Sequence, residues 1–178
     1  MNTLLAINAR KSVRCYEKSL PEDEVIEIIA AAGTKAPKVG QLHITVVTNA
    51  DILAKIDDFA MEDMKASPAP NVKKTVEQEG FRPLYGAPLL FVLSTEEDSP
   101  FGMTGPACAA TQMALAATDM GVASCVMASV VGTLKKSACK ALLELPKGFT
   151  PALCIVAGYY GGEAFTRPPK TVEINYIS

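Results

Sequence analysis

Residues 104–120, TGPACAATQMALAATDM, decide how this chain is built. Asp119 is the only charge in the stretch, and Gly121 follows as a helix stop. Ala107, Ala109, Ala110, Ala114, Ala116 and Ala117 are distributed all round the helix this composition predicts. A helix apolar on every side is buried on every side. The whole chain has 178 residues, of which 49% are apolar and only 6% aromatic, with no Trp. That length predicts one domain over residues 1–178. One small domain supplies too little cover for such a helix, so a second subunit is expected against it.

Outward from that helix, β-branched and apolar runs predict short strands at His43–Thr48, Pro88–Ser94, Ala123–Ala128 and Ala152–Tyr159. Asn2–Ala9 reads as a first helix, followed by a basic turn over Arg10-Lys11-Ser12-Val13-Arg14. Ser19 with Glu22 forms a capping-box pattern that opens a helix ending at Gly33. Residues 35–41 read as an extended loop, and Asn49 caps a helix to about Lys65. Residues 66–83 carry three prolines and read as a surface excursion with a helical piece near 72–79. Thr133 is expected to cap a helix that ends at Leu145-Pro146. Residues 163–178 form a C-terminal arm, and Thr171–Ile177 alternates like an exposed strand. The fold class is therefore α+β: a small mixed β-sheet flanked by helices.

Composition excludes several functions. Lys plus Arg is 17 against 19 acidic residues, a net charge of −2, so the basic excess of a nucleic-acid binder is missing. A single histidine, His43, rules out a His-pair relay or a multi-histidine zinc site, and no metal is expected. His43 itself reads as a packed strand residue. The five cysteines form no C-x-x-C pair, and four sit among Ala, Val, Leu and Ile. Buried free thiols suit a reducing cytoplasm. Residues 1–7 are too short an apolar run for a signal peptide, and the long low-charge stretch is broken by glycines, so no membrane segment is expected. No P-loop, G-x-G-x-x-G or G-x-S-x-G motif is present. The carboxylate pairs Asp57-Asp58 and Glu96-Glu97 read as solvated faces.

What remains is a set of small clusters. Arg10, Lys11, Ser12 and Arg14 offer three cations and a hydroxyl, a plausible phosphate cradle. Arg167 and Lys170, on a proline-stiffened segment, offer two more cations. The Ala36–Gln41 loop bends at Pro37 and Gly40. The Ser124–Ser129 strand and its exit bring backbone N–H groups.

The order of these clusters resembles the nitroreductase family of FMN-dependent oxidoreductases. The family's R-R-S-x-R-x-[FY] opening stands here as Arg10-Lys11-Ser12-Val13-Arg14-Cys15-Tyr16. Its A-P-S-x-x-N-x-Q-P-W loop stands as Ala36-Pro37-Lys38-Val39-Gly40-Gln41-Leu42-His43, shortened and without the Trp. Gly86-Ala87-Pro88, the Ala-rich helix, Gly121–Cys125, Gly158-Tyr159 and Arg167–Lys170 follow in the family's order.

The resemblance implies a nitroreductase-like fold: an intertwined homodimer with an extended C-terminal arm and two FMN sites at the interface. Arg10, Lys11 and Ser12 would grip the phosphate and ribityl chain, completed by Arg167 or Lys170. Arg14 would sit at the N1–C2=O edge of the flavin. Pro37, Lys38, Val39 and Gln41 of the partner subunit would cover the ring. Backbone N–H groups of Met127, Ala128 and Ser129 would face N5 and O4. Such an enzyme passes a hydride from NAD(P)H through FMN to a small organic acceptor such as a quinone or nitroaromatic, by a ping-pong route, with no catalytic side chain of its own. Two alternatives stay open: a flavin-binding dimer with little turnover, acting as a store or regulator, and a relative that dehalogenates or fragments the flavin.

Overall fold

The sheet is organised on its two longest strands, β2 (Leu89–Glu96) and β4 (Phe149–Gly158), which pair antiparallel with Leu89 opposite Ala157. β1 (His43–Val47) adds to the outer side of β2, and β3 (Ala123–Met127) to the outer side of β4. The order is β1-β2-β4-β3, and all three pairings are antiparallel. Among the described residues, the expected mixture of directions comes only from a parallel bridge between Ser12, outside the four strands, and Ser124 of β3. These features belong to a computed structural model that describes residues 2–163 and 172–177.

Alternation along β2 and β4 divides the core in two. Leu90, Val92, Cys154 and Val156 point to one face. There they meet Leu53, Ile56 and Ala60 of α3 (Ala50–Ala66), Leu134 of α6 (Val131–Leu134) and Leu143 of α7 (Ser137–Leu143). Leu89, Phe91, Leu93, Leu153 and Ile155 point to the other. That face is closed by Ile26 and Ile29 of α2 (Asp23–Thr34) and by Ala109, Ala110, Met113 and Ala117 of α5 (Thr104–Asp119). Each fully buried Leu, Ile or Phe here contributes about 1.5–3 kcal/mol.

Gly33 sits where α2 meets Met113 of α5 and Ile44 of β1. A Cβ at Gly33 would lie 2.8 Å from Ile44 Cδ1 and 2.8 Å from Met113 Sδ. Gly33 is thus a packing position inside α2, not the expected helix stop. The helix also starts later than its capping-box pattern suggests. Glu22 occupies the N-cap without a side-chain bond, and Ser19 Oγ instead donates to Glu17 at 3.3 Å.

Other local expectations hold or shift for visible reasons. Asn49 caps α3 as expected, its side chain accepting from the Asp51 and Ile52 N–H groups. The excursion carries a short helix, α4 (Pro70–Val76). Thr133 does not cap a long helix. It lies inside α6, where its hydroxyl donates to Asp63 of α3 at 2.6 Å, and the expected helix is split into α6 and α7. Residues 172–177 are in no strand, and Val172, Ile174, Tyr176 and Ile177 are all strongly exposed. Within this one chain α5 is not buried on every side: Ala107 and Thr111 are exposed, and Cys108 and Leu115 are half-buried.

Candidate functional site

The basic stretch is extended, not a turn. α1 (Thr3–Ala9) ends at Arg10, whose N–H donates to Ala6 O, and the chain then runs along the edge of β3. Val13 N–H donates to Ser124 O at 2.9 Å. Val13 is buried against β3, while Lys11 and Arg14 are exposed.

The far end of this segment is pinned by Tyr16. Its phenol donates to Val13 O at 2.6 Å, and its backbone bridges to Tyr160. Glu17 N–H donates to Tyr159 O, and Gly161 N–H to Cys15 O. A Cβ at Gly161 would meet the Tyr16 carbonyl carbon at 2.7 Å, so only glycine permits this approach. Burial pushes the Tyr16 phenol far above its ordinary pKa, with further upward contributions from Cys125 and Tyr85 that outweigh Arg14. It therefore stays protonated, a permanent donor that fixes the segment.

Arg14 points over the face of Tyr85, with 5.8 Å from its guanidinium carbon to the ring centroid. Phe81 meets Tyr85 edge-on at 6.2 Å and 77°. Arg14, Tyr16, Thr75, Gln78, Phe81 and Tyr85 line a cleft of about 630 Å³ between the basic segment and the excursion. Tyr85 and Gly86 both have positive φ, 57° and 67°. This corner is fastened to α3. Asp57, 6% exposed, accepts the Leu84 N–H at 2.6 Å and also pairs with Arg82, whose other arm reaches Asp58 at 2.7 Å. Asp57 is thus not the solvated carboxylate its neighbour suggests, whereas Glu96 and Glu97 are exposed as expected.

The Ala36–Gln41 loop stands elsewhere. Gln41 O accepts from Thr95 Oγ1 at 3.1 Å, and Gly40 takes φ +70° beside Ser99 and Phe101. A Cβ at Gly105 would lie 2.4 Å from Val39 O, so the loop rests directly on the start of α5. Lys38 and Gln41 line a cleft with Ala31, Thr34, His43 and Ile44, next to β1. His43 packs edge-on against Phe149 at 6.0 Å, as a strand residue.

At the exit of β3, Met127 is buried in the core, and its carbonyl accepts a weak bond from Cys154 Sγ at 3.4 Å. Burial pushes that thiol up to about 12. Ala128 and Ser129 are exposed, and Ala128 lines a cleft with Thr95, Gly132, Lys135 and Thr150. Arg167 and Lys170 lie outside the described residues.

The structure lays the basic segment against β3 through Ser12 and Val13 at Ser124, while Met127 ends that strand, Ala128 and Ser129 follow it, and Arg14, Lys11 and Ala128 line three different clefts. It does not bring Pro37, Lys38, Val39 and Gln41 to the basic segment, because β1 and β3 are opposite edges of the sheet. Tyr85 and Arg82 are not singled out by the sequence, Tyr16 stands there only as the aromatic end of the opening motif, and Asp57 only as a solvated carboxylate. Asp57 had a signal: Leu53, Ile56, Asp57 and Ala60 share one helical stripe and are all buried. Among the described residues no His, Cys, Asp or Glu group is placed to hold a metal, and no helix is long and apolar enough to cross a membrane.

Residues 7–159 match the Nitroreductase family. No curated protein matches the chain. Among solved structures, a nitroreductase with bound FMN from Bacteroides fragilis NCTC 9343 is similar at 28% identity and a TM-score of 0.85, over 100% of this chain and 98% of that one. An FMN-bound nitroreductase from Desulfitobacterium hafniense DCB-2 shares the fold at 23% identity and a TM-score of 0.85, over 100% of both chains. The fold also extends to an iodotyrosine deiodinase bound to FMN and 3-iodo-L-tyrosine, at 17% identity and a TM-score of 0.76, over 99% of this chain and 100% of that one.

Proposed function

The chain belongs to the nitroreductase family, and on that footing we propose that it is an FMN-dependent oxidoreductase that moves a hydride from NAD(P)H to a small organic acceptor such as a quinone or nitroaromatic. The observation that carries this reading is the pinned basic segment. Three cations and a hydroxyl stand on one rigid extended stretch, and neither Arg10 nor Arg14 has a carboxylate partner among the described residues. That donor set fits a phosphate at one end and an electron-rich ring edge at the other.

Arg10, Lys11 and Ser12 hold the phosphate and ribityl chain, with Arg167 or Lys170 as further cations. Arg14 stands at the N1–C2=O edge, where a fixed cation stabilises negative charge that develops on reduction. Backbone N–H groups of Met127–Ser129 orient N5 and O4. FMN supplies the two-electron chemistry, and the protein binds, orients and tunes it.

The site is completed by a second copy of the chain. Pro37, Lys38, Val39 and Gln41 sit at the wrong edge of the sheet to reach their own basic segment, so they serve the partner's. The apolar surface left open supports the same reading: Leu4 is 71% and Leu5 55% exposed on α1, a helix that touches α5. The arm over 163–178 ends in Val172, Ile174, Tyr176 and Ile177, all needing cover, while β1 is paired on one side only. The whole chain acts as one domain in a homodimer, and its five free thiols suit the reducing cytoplasm.

The test is direct. The purified protein loaded with FMN should sediment as a dimer. Under anaerobic conditions NADH or NADPH should bleach its flavin absorbance, and a quinone or nitroaromatic should restore it. A protein that binds FMN but is bleached by neither nicotinamide would be a store, not this enzyme. Arg14→Ala should weaken FMN binding.

A further inference from the structure

We propose that Tyr85 is a positioning residue that aims Arg14 at the cofactor through its ring face, an inference that rests on the FMN reading above. The starting observation is an apparent extravagance. Tyr85 has φ 57°, a left-handed conformation that disfavours every residue with a side chain, and Gly86 follows at 67°. Glycine would suit position 85 better. The backbone is nevertheless forced into this shape from several sides. Leu84 N–H is anchored to buried Asp57, Arg82 is clamped by Asp57 and Asp58, Tyr85 N–H donates to Arg82 O at 2.9 Å, and Ala87 N–H to Leu84 O at 3.1 Å.

The outcome of that forcing is the placement of one ring. Phe81 braces its edge, and Arg14 lies over its face. Arg14 is an exposed side chain with several free torsions, so by itself it would sample many directions. A carboxylate would also fix it, but would neutralise the charge that a reduced flavin edge needs. An aromatic face orients the guanidinium and leaves its full charge available. Tyr85 touches neither cofactor nor substrate in this scheme. It acts through Arg14.

The test is a double-mutant cycle on the full-length protein, read by FMN affinity from fluorescence quenching and by flavin midpoint potential. Tyr85→Leu should weaken FMN binding about two- to five-fold, the size of an exposed cation–π contact, and should lower the potential. Tyr85→Phe, which keeps the ring, should match the parent. Tyr85→Gly removes the ring while keeping a residue that tolerates the left-handed backbone, so it should lose affinity as Tyr85→Leu does. In an Arg14→Gln background, Tyr85→Leu should have no further effect. Additive losses there would overturn the positioning role while leaving the FMN reading intact. A parent protein that binds no FMN would overturn both.

Discussion

Replacing Asp57 with alanine tests how the site corner is anchored. The buried Leu84 N–H would lose its acceptor at 2.6 Å, and Leu84 itself is only 2% exposed, so water does not substitute. An orphaned buried N–H costs about 1–3 kcal/mol. The pairing with Arg82 adds less, about 0.5–1 kcal/mol, because the Arg82 side chain is 45% exposed. The total loss is about 1.5–4 kcal/mol, or about 3–16 °C in Tm for a chain of this size. Asp57→Asn separates the two contributions: its amide oxygen still accepts from Leu84 but cannot pair with Arg82, so it should cost about 1 kcal/mol. Urea denaturation at a fixed protein concentration should give the order parent, Asn, Ala, with an unchanged slope. An alanine variant within about 0.5 kcal/mol of the parent would show that Leu84 is not anchored there.

Two further outcomes follow from local geometry. Gly105→Ala should destabilise by about 1–3 kcal/mol and weaken FMN binding, because the new methyl collides with backbone at Val39 O. Gly132→Ala in α6, which meets nothing within 4 Å, should be neutral or stabilising and serves as the control for the same thermal melts. Asp63 is held below the ordinary carboxylate pKa by hydrogen bonds from Lys136 and Thr133. Its contribution is therefore present above the unfolded value and lost as pH falls through the folded one. Lys136→Ala should flatten the acid limb of stability below the ordinary carboxylate range, measured by denaturation at stepped pH.

Much of the architecture was legible because local and tertiary preferences agree. β2 and β4 are continuous apolar runs buried on both faces, and Asn49 caps α3 with its own side chain. Readings failed where a distant partner decides. Thr133 looks like a cap until Asp63 of α3 takes its hydroxyl. Ser19 looks like a cap, but Pro21 presses Leu20 towards extended backbone, and the helix waits until Asp23. The basic segment read as a turn because its charges resemble those of a surface turn, and only the pairing with Ser124 of β3 makes it extended. For the site, the cations were visible in the sequence, whereas their supports were not. Nothing in Tyr85 itself announces a left-handed backbone, and Asp57 and Asp58 differ only in which face of α3 they occupy.

The strand order has a kinetic consequence. No two paired strands are joined by a hairpin: His43 meets Ser94, Leu89 meets Ala157, and Ala123 meets Gly158. Every ladder must close a long loop before it returns any hydrogen bonds, a topology that folds slowly. β4 lies at the centre of the sheet yet comes last in the chain, so during synthesis β1, β2 and β3 emerge before the strand that joins β2 to β3. Until then β2 offers an almost wholly apolar strand with an open edge. This stretch is where a nascent or heat-stressed chain is most exposed to aggregation and most dependent on chaperones.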